Sequence, residues 1–123
     1  MNPKNRFVAD IELLKLLLPE YLVDYFEVVT YSKEDDKLHL YFEEKNVPPV
    51  DYSNKKLISK GFFEEIIVQD FPIRGQHAFL HIKRRRWLET GSGKVVFRNW
   101  EQVAKGTRMT ADFAAFLKEI SRF

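Results

Sequence analysis

Lys83, Arg84, Arg85 and Arg86 stand in a row before Trp87, the densest run of chemistry-bearing side chains in the chain. Such cations neutralise phosphates and release counterions, giving salt-sensitive affinity that does not depend on base sequence. Arginine also reads guanine edges or stacks, and Trp87, Phe97 and Trp100 put π faces nearby in sequence. Four adjacent cations repel one another, and an exposed patch that meets phosphate would relieve that repulsion. In an extended strand Arg84 and Arg86 leave one face while Lys83, Arg85 and Trp87 leave the other, so only part of the run can grip one backbone. The plainer alternative is a solubilising strand end whose charges pair with Glu89 and Glu101.

Other residue sets offer less chemistry. His77 and His81 are four apart, but four strand residues span about 13 Å, too far to share one ion. They read as the polar face of a strand, with phosphate contact as the alternative. Gly91-Ser92-Gly93-Lys94 lacks the spacing, the following Ser/Thr and the helix of a phosphate-binding loop, and reads as a hairpin turn. The pairs Asp35/Asp36, Glu43/Glu44 and Glu64/Glu65 read as solvated acids, and three scattered histidines suggest no Ser–His–Asp arrangement. The chain has no cysteine, which excludes disulfides, thiolate zinc sites and cysteine nucleophiles and fits a reducing cytosol. The expectation is a non-enzyme with no catalytic residue, metal or cofactor.

Net charge is only +2 over 123 residues, but it is unevenly placed. Residues 71–110 hold nine cations (Arg74, Lys83, Arg84, Arg85, Arg86, Lys94, Arg98, Lys105 and Arg108) against Glu89 and Glu101. The remainder holds 11 cations against 16 carboxylates. That segregation points to a polyanion-facing region on an acidic body.

Strands must hold the basic run. Residues 76–82 alternate, with Ala78, Leu80 and Ile82 on one face and His77, Phe79 and His81 on the other. This strand is expected to enter the basic cluster, turn through residues 90–93 and return over residues 94–100 as one long hairpin. Gly91 and Gly93 suit the positive φ of a tight turn. Residues 61–71 are expected as the preceding strand and residues 72–75 as its turn. Upstream, residues 27–31 and 38–44 read as a first hairpin around the polar turn 32–37, with Leu38, Leu40 and Phe42 alternating against His39, Tyr41 and Glu43. Residues 45–59 read as a loop or linker, because Pro48-Pro49 favours extended backbone and forbids ladder hydrogen bonds.

Helices flank these strands. Phe7, Ile11, Leu14 and Leu18 mark a helix over residues 5–18, and Pro19 opens a second, short one over residues 20–26. Thr110 suits the N-cap of a last helix over residues 111–122, whose Phe113, Phe116, Leu117 and Ile120 fall at i, i+3, i+4 and i+7. The fold class expected is α+β: N-terminal helices, antiparallel β-hairpins and a C-terminal helix. A single domain over residues 1–123 is expected, with a division into 1–44 and 60–123 about the linker as its variant. Apolar residues make up 45% and include 11 Phe, enough for a core. The longest apolar run falls far short of the roughly 20 residues of a membrane span, and the N-terminus does not read as a secretory signal. A cytoplasmic protein without membrane partners is the expectation.

The run Asp70-x-Pro72-x-x-Gly75, Leu80, Arg85-Arg86-Trp87, followed by KVVFRNW and GTRMT, resembles the N-terminal region of insertion-sequence transposases of the ISL3 type. LLPEYLVDYFEVV, YFEEKNVPP, SKGF and FAAFLKEI are similar to its ISAon1-like group, so the resemblance covers most of the chain from about Leu16 onward. In that family the strand leads into a zinc ribbon and a helix-turn-helix. The ribbon cysteines would flank the turn at residues 88–93, where this chain has none, so the resemblance implies a zinc-ribbon-like hairpin without metal. The family's RNase H-like catalytic domain, with its metal-binding acids, is larger than these 123 residues and is not expected within them.

The resemblance implies a bacterial DNA-binding module that recognises insertion-sequence ends and acts with a separate catalytic chain. Arg74, Lys83, Arg84, Arg85, Arg86, Lys94 and Arg98 are the expected phosphate contacts, with Trp87 bracing the strand or stacking. Changing Arg84, Arg85 and Arg86 to Ala is expected to abolish DNA binding at little cost in thermal stability. The rival expectation is a module that docks the catalytic chain through the Phe113/Phe116/Leu117/Ile120 helix or the first helix. Homo-oligomer formation is left open.

Overall fold

A computed structural model describes residues 12, 13, 15, 16, 18, 20–73, 76–100, 103 and 111–120. Helix α1 spans Glu20–Tyr25, and strands β1 (Phe26–Glu34) and β2 (Lys37–Glu44) follow as an antiparallel hairpin. A short 3-10 turn at Val50–Tyr52 leads to β3 (Leu57–Phe62). Then come β4 (Ile66–Ile73), β5 (Gln76–Lys83), β6 (Arg85–Glu89), β7 (Lys94–Phe97) and helix α2 (Ala111–Ile120). The architecture is α+β. Among the described residues, no helix is long and apolar enough to cross a membrane.

The strands form two sheets, ordered β1-β2-β5-β4 and β3-β6-β7. Pairing is antiparallel throughout except between β2 and β5, which run parallel. Their register sets Leu38 against Ala78, Leu40 against Leu80 and Phe42 against Ile82, all six buried. Strand alternation thus puts two apolar rows side by side, and burial of such rows drives the sheet's formation. Val28 on β1 and Ile66 and Val68 on β4 extend the inward face. Leu18, Leu22, Phe26, Trp100, Phe116 and Ile120 belong to the same core. Phe26 stacks on Trp100 with ring centroids 5.4 Å apart and meets Phe116 edge-on at 6.2 Å, so α2 and the Trp100 segment are anchored at the start of β1.

Several expectations change. The long hairpin over residues 76–100 does not form. Strand β5 pairs inside the four-stranded sheet, Arg84 lies between strands, and β6 joins the other sheet, where only β6 and β7 make a hairpin. The expected linker ends early because β3 begins at Leu57, and the expected strand 61–71 breaks at residues 63–65. Gly61, at φ +86°, sits in the register shift where β3 opens against β6. Strand β4 runs through Pro72, where an edge position and a register shift between Asp70 and Ile73 remove the need for its missing N–H. Of the two turn glycines, Gly93 adopts positive φ (+73°) and Gly91 does not. Because β2 pairs with β5, strands from residues 26–44 and 66–83 share one sheet and one core.

Helix α1 ends at Tyr25, and β1 already starts at Phe26. Of the first expected helix, residues 12, 13, 15 and 16 are described and helical. Phe7, Ile11, Leu14, Thr110 and Arg122 lie outside the described residues, as does the side chain of Phe113.

Candidate nucleic-acid interface

Glu44 ends the inward row Leu38, Leu40, Phe42, and Arg84 follows the inward row Ala78, Leu80, Ile82. Both therefore enter the protein rather than solvent. Glu44 is 1% exposed and Arg84 7%, so the expectation of a solvated Glu43/Glu44 pair fails at Glu44. The Glu44 carboxylate organises the basic run. Its Oε1 accepts the Arg85 backbone N–H at 3.0 Å, and its Oε2 accepts Arg98 Nε at 2.8 Å. Arg85 Nε also donates to the Glu44 carbonyl at 3.0 Å. Burial pushes the Glu44 carboxyl above its ordinary range, opposed by the hydrogen bonds from Arg98 and Arg85.

The expected phosphate contacts are scattered by these demands. Arg98 is 8% exposed, donates to the Val47 carbonyl as well as to Glu44, and lies over the rings of Tyr25, Trp87 and Trp100. Trp87 is fully buried, donating Nε1–H to Asn46 Oδ1 at 2.9 Å, so it braces the strand and offers no face to a base. Arg85 reaches Ser59 and lies over the Phe62 ring at 4.5 Å. Lys83 belongs to the other sheet, opposite Glu43. Lys94 is exposed beside the β6–β7 turn, opposite Glu89. Arg74 lies outside the described residues. The expected phosphate contacts do not form one surface: inward parity takes Arg84, and Glu44 takes Arg85 and Arg98.

A different basic surface emerges on the outward face of the three-stranded sheet. Arg86 sits directly opposite Phe97, which is 55% exposed. Arg86 Nε donates to the carbonyl of Lys60, an exposed residue of β3, and Phe63 touches Phe97 edge-on with centroids 5.4 Å apart. The next cross-strand row is apolar: Ile58 faces Leu88, and Leu88 faces Val95. Ile58 and Val95 are both exposed. An exposed sheet face carrying aromatic and cationic side chains is the kind of platform on which nucleic-acid bases stack while their phosphates are neutralised. Sequence reasoning misses Lys60, which falls between the expected linker (45–59) and the expected strand (61–71), and places Phe97 only as a nearby ring.

The four-stranded sheet carries a second polar cluster on its outward face. Parallel register puts Tyr41 opposite His81 and His39 opposite Phe79. His39 Nδ1 and His81 Nε2 are 2.9 Å apart, and His81 Nδ1 is 2.9 Å from Glu65 Oε1. An ionised carboxylate only accepts, so His81 Nδ1 carries the proton toward Glu65; a neutral His81 then accepts from His39 at Nε2. Tyr41 stacks on His81 at 4.3 Å. Beside them, Val29, Thr30, Glu43, His81 and Lys83 line a cleft of about 180 Å³. The expectation that His77 and His81 share a polar face is half met: His77 is exposed, whereas His81 is 9% exposed and engaged. Among the described residues no group of three or more His, Cys, Asp or Glu side chains could hold a metal ion.

The chain was compared with known families, curated proteins and solved structures. None matches.

Proposed function

We propose that this chain is the DNA-binding N-terminal module of an insertion-sequence transposase, holding the element's terminal DNA while a separate catalytic chain cuts it. The observation that carries this reading is the outward face of the β3-β6-β7 sheet, where Arg86 and Phe97 stand opposite each other with Lys60 beside them. Cations there neutralise phosphate, and the exposed ring offers a stacking surface at unpaired or frayed ends. The segregation of positive charge into residues 71–110 supports the same ligand. So does the resemblance carried by Asp70, Pro72, Gly75, Leu80 and the Arg85-Arg86-Trp87 run.

The test is a fluorescence-anisotropy titration with end-sequence and scrambled duplexes at two salt concentrations. Tighter binding to the end sequence, weakening steeply with salt, is the expected result. Absence of binding at low salt would overturn the proposal.

The apolar row Ile58–Leu88–Val95 favours a second reading, in which the same face docks the catalytic chain. Co-purification of the two chains that survives nuclease treatment would support it. The helix stripe first considered for that role is used internally, since Phe116 and Ile120 are buried in the chain's own core.

A further inference from the structure

Arg84 is a buried guanidinium whose donors are poorly satisfied. Its Nη1 makes a long 3.4 Å bond to the Ile120 carbonyl, and its Nε has no hydrogen-bond partner among the described residues. The Phe63 ring covers it at 5.2 Å, which supplies polarisability but no acceptor. No carboxylate lies within ion-pair distance among the described residues, and Glu44 is bonded to Arg85 and Arg98 instead. Burying an arginine on these terms is costly unless something else completes its shell. Burial accordingly pulls its pKa below the ordinary arginine value, with Glu44 opposing the shift.

The same side chain lines a cleft of about 480 Å³. Arg98 lines it too, and Tyr52, Phe97 and Trp100 form aromatic walls. A volume of this size suits a small organic ligand rather than a lone ion. Asp51 also lines the cleft, where its carboxylate suits base amino or sugar hydroxyl groups and disfavours a second anion.

We propose that this cleft is a nucleotide-sized phosphate site, in which Arg84, backed by Arg98, grips the phosphate and the aromatic walls take the base. A free nucleotide or the 5′-phosphorylated end of a DNA strand would present the same chemistry. The cleft shares Phe97 and Val95 with the outward sheet face, but its phosphate grip, Arg84, is buried and not part of that face, so the site stands whether or not the face binds DNA.

The test is thermal unfolding of the whole chain in sodium phosphate and in deoxythymidine 5′-monophosphate, against sodium chloride of equal ionic strength. The nucleotide is expected to raise Tm saturably, by roughly 5 °C at tenfold excess over its Kd, and more tightly than inorganic phosphate does. Arg84→Met removes the charge while keeping the apolar bulk. It should fold with a ligand-free Tm equal to or above the wild type and lose the nucleotide shift. Should Arg84→Met fail to fold, the wild-type titration decides alone, and a Tm no higher than in chloride overturns the site. A full shift retained in Arg84→Met also overturns it. Comparing 5′-phosphorylated with 5′-hydroxyl oligonucleotides then assigns the source. An Arg84-dependent preference of tenfold or more for the phosphorylated strand means a DNA end, and equal binding of the two alongside the nucleotide shift means a free nucleotide.

Discussion

Glu44 and Arg98 meet at 2.8 Å inside the protein, with their side chains 1% and 9% exposed. The pair lies 54 positions apart in the chain and links the end of β2 to the segment after β7. A third group, Arg85, binds the same carboxylate through its backbone N–H. Glu44 is thus the shared acceptor on which the two sheets meet.

Removing that carboxylate should be severe. Glu44→Ala strands the Arg98 guanidinium in the interior, and the loss expected is about 3–5 kcal/mol in urea unfolding. A cost below about 1 kcal/mol would mean that water reaches Arg98 and the pair is not a structural hub.

Glu44 also gives stability a pH dependence of definite sign. Its folded pKa is raised by burial, so between the ordinary glutamate value and that raised value the native state holds a proton that the unfolded chain has lost. Stability from this group is therefore full below the ordinary value and declines as pH rises through the raised one, with a slope of at most about 1.4 kcal/mol per pH unit. Glu44→Gln should flatten that part of the curve. Chemical denaturation at several pH values, wild type against variant, checks it; parallel curves would contradict the assignment.

The three arginines of the run should separate by function. Arg85→Ala forfeits bonds to Glu44 and Ser59 and is expected to lose about 2–3 kcal/mol. Arg86→Ala should cost about 0.5 kcal/mol yet weaken DNA binding. The triple alanine change at Arg84, Arg85 and Arg86 would then lower stability markedly, against the sequence expectation. Melting curves and anisotropy on the single variants distinguish the two roles.

On the proposed interface, Lys60→Ala and Arg86→Ala should each reduce the slope of log affinity against log salt by about 0.9. Phe97→Ala should leave that slope alone and weaken single-stranded ends more than duplex, since only unpaired bases can stack on the ring. Identical losses on both substrates would count against a stacking role.

Trp87→Phe deletes the indole bond to Asn46 and is expected to cost about 1–2 kcal/mol while leaving DNA affinity unchanged. A large fall in affinity with unchanged stability would return Trp87 to the binding surface.

Alternation was legible wherever a strand buries one face. The rows Leu38-Leu40-Phe42 and Ala78-Leu80-Ile82, the α+β class and the packing stripe of α2 all follow from periodicity, because burial selects side-chain spacing locally. The same parity, carried one step further, marks Glu44 and Arg84 as inward; their charge argued for solvent and hid it. Strand partners were not legible. Parallel pairing of β2 with β5 and the passage of the chain from one sheet to the other at Arg84 depend on contacts between residues about 40 positions apart, which no local pattern encodes. That long-range pairing set Arg98 on Glu44, closed Trp87 into the interior and brought His39, His81 and Glu65 together. Composition announced that cations would be concentrated in one stretch. Which of them face solvent was decided by where a buried carboxylate could be neutralised.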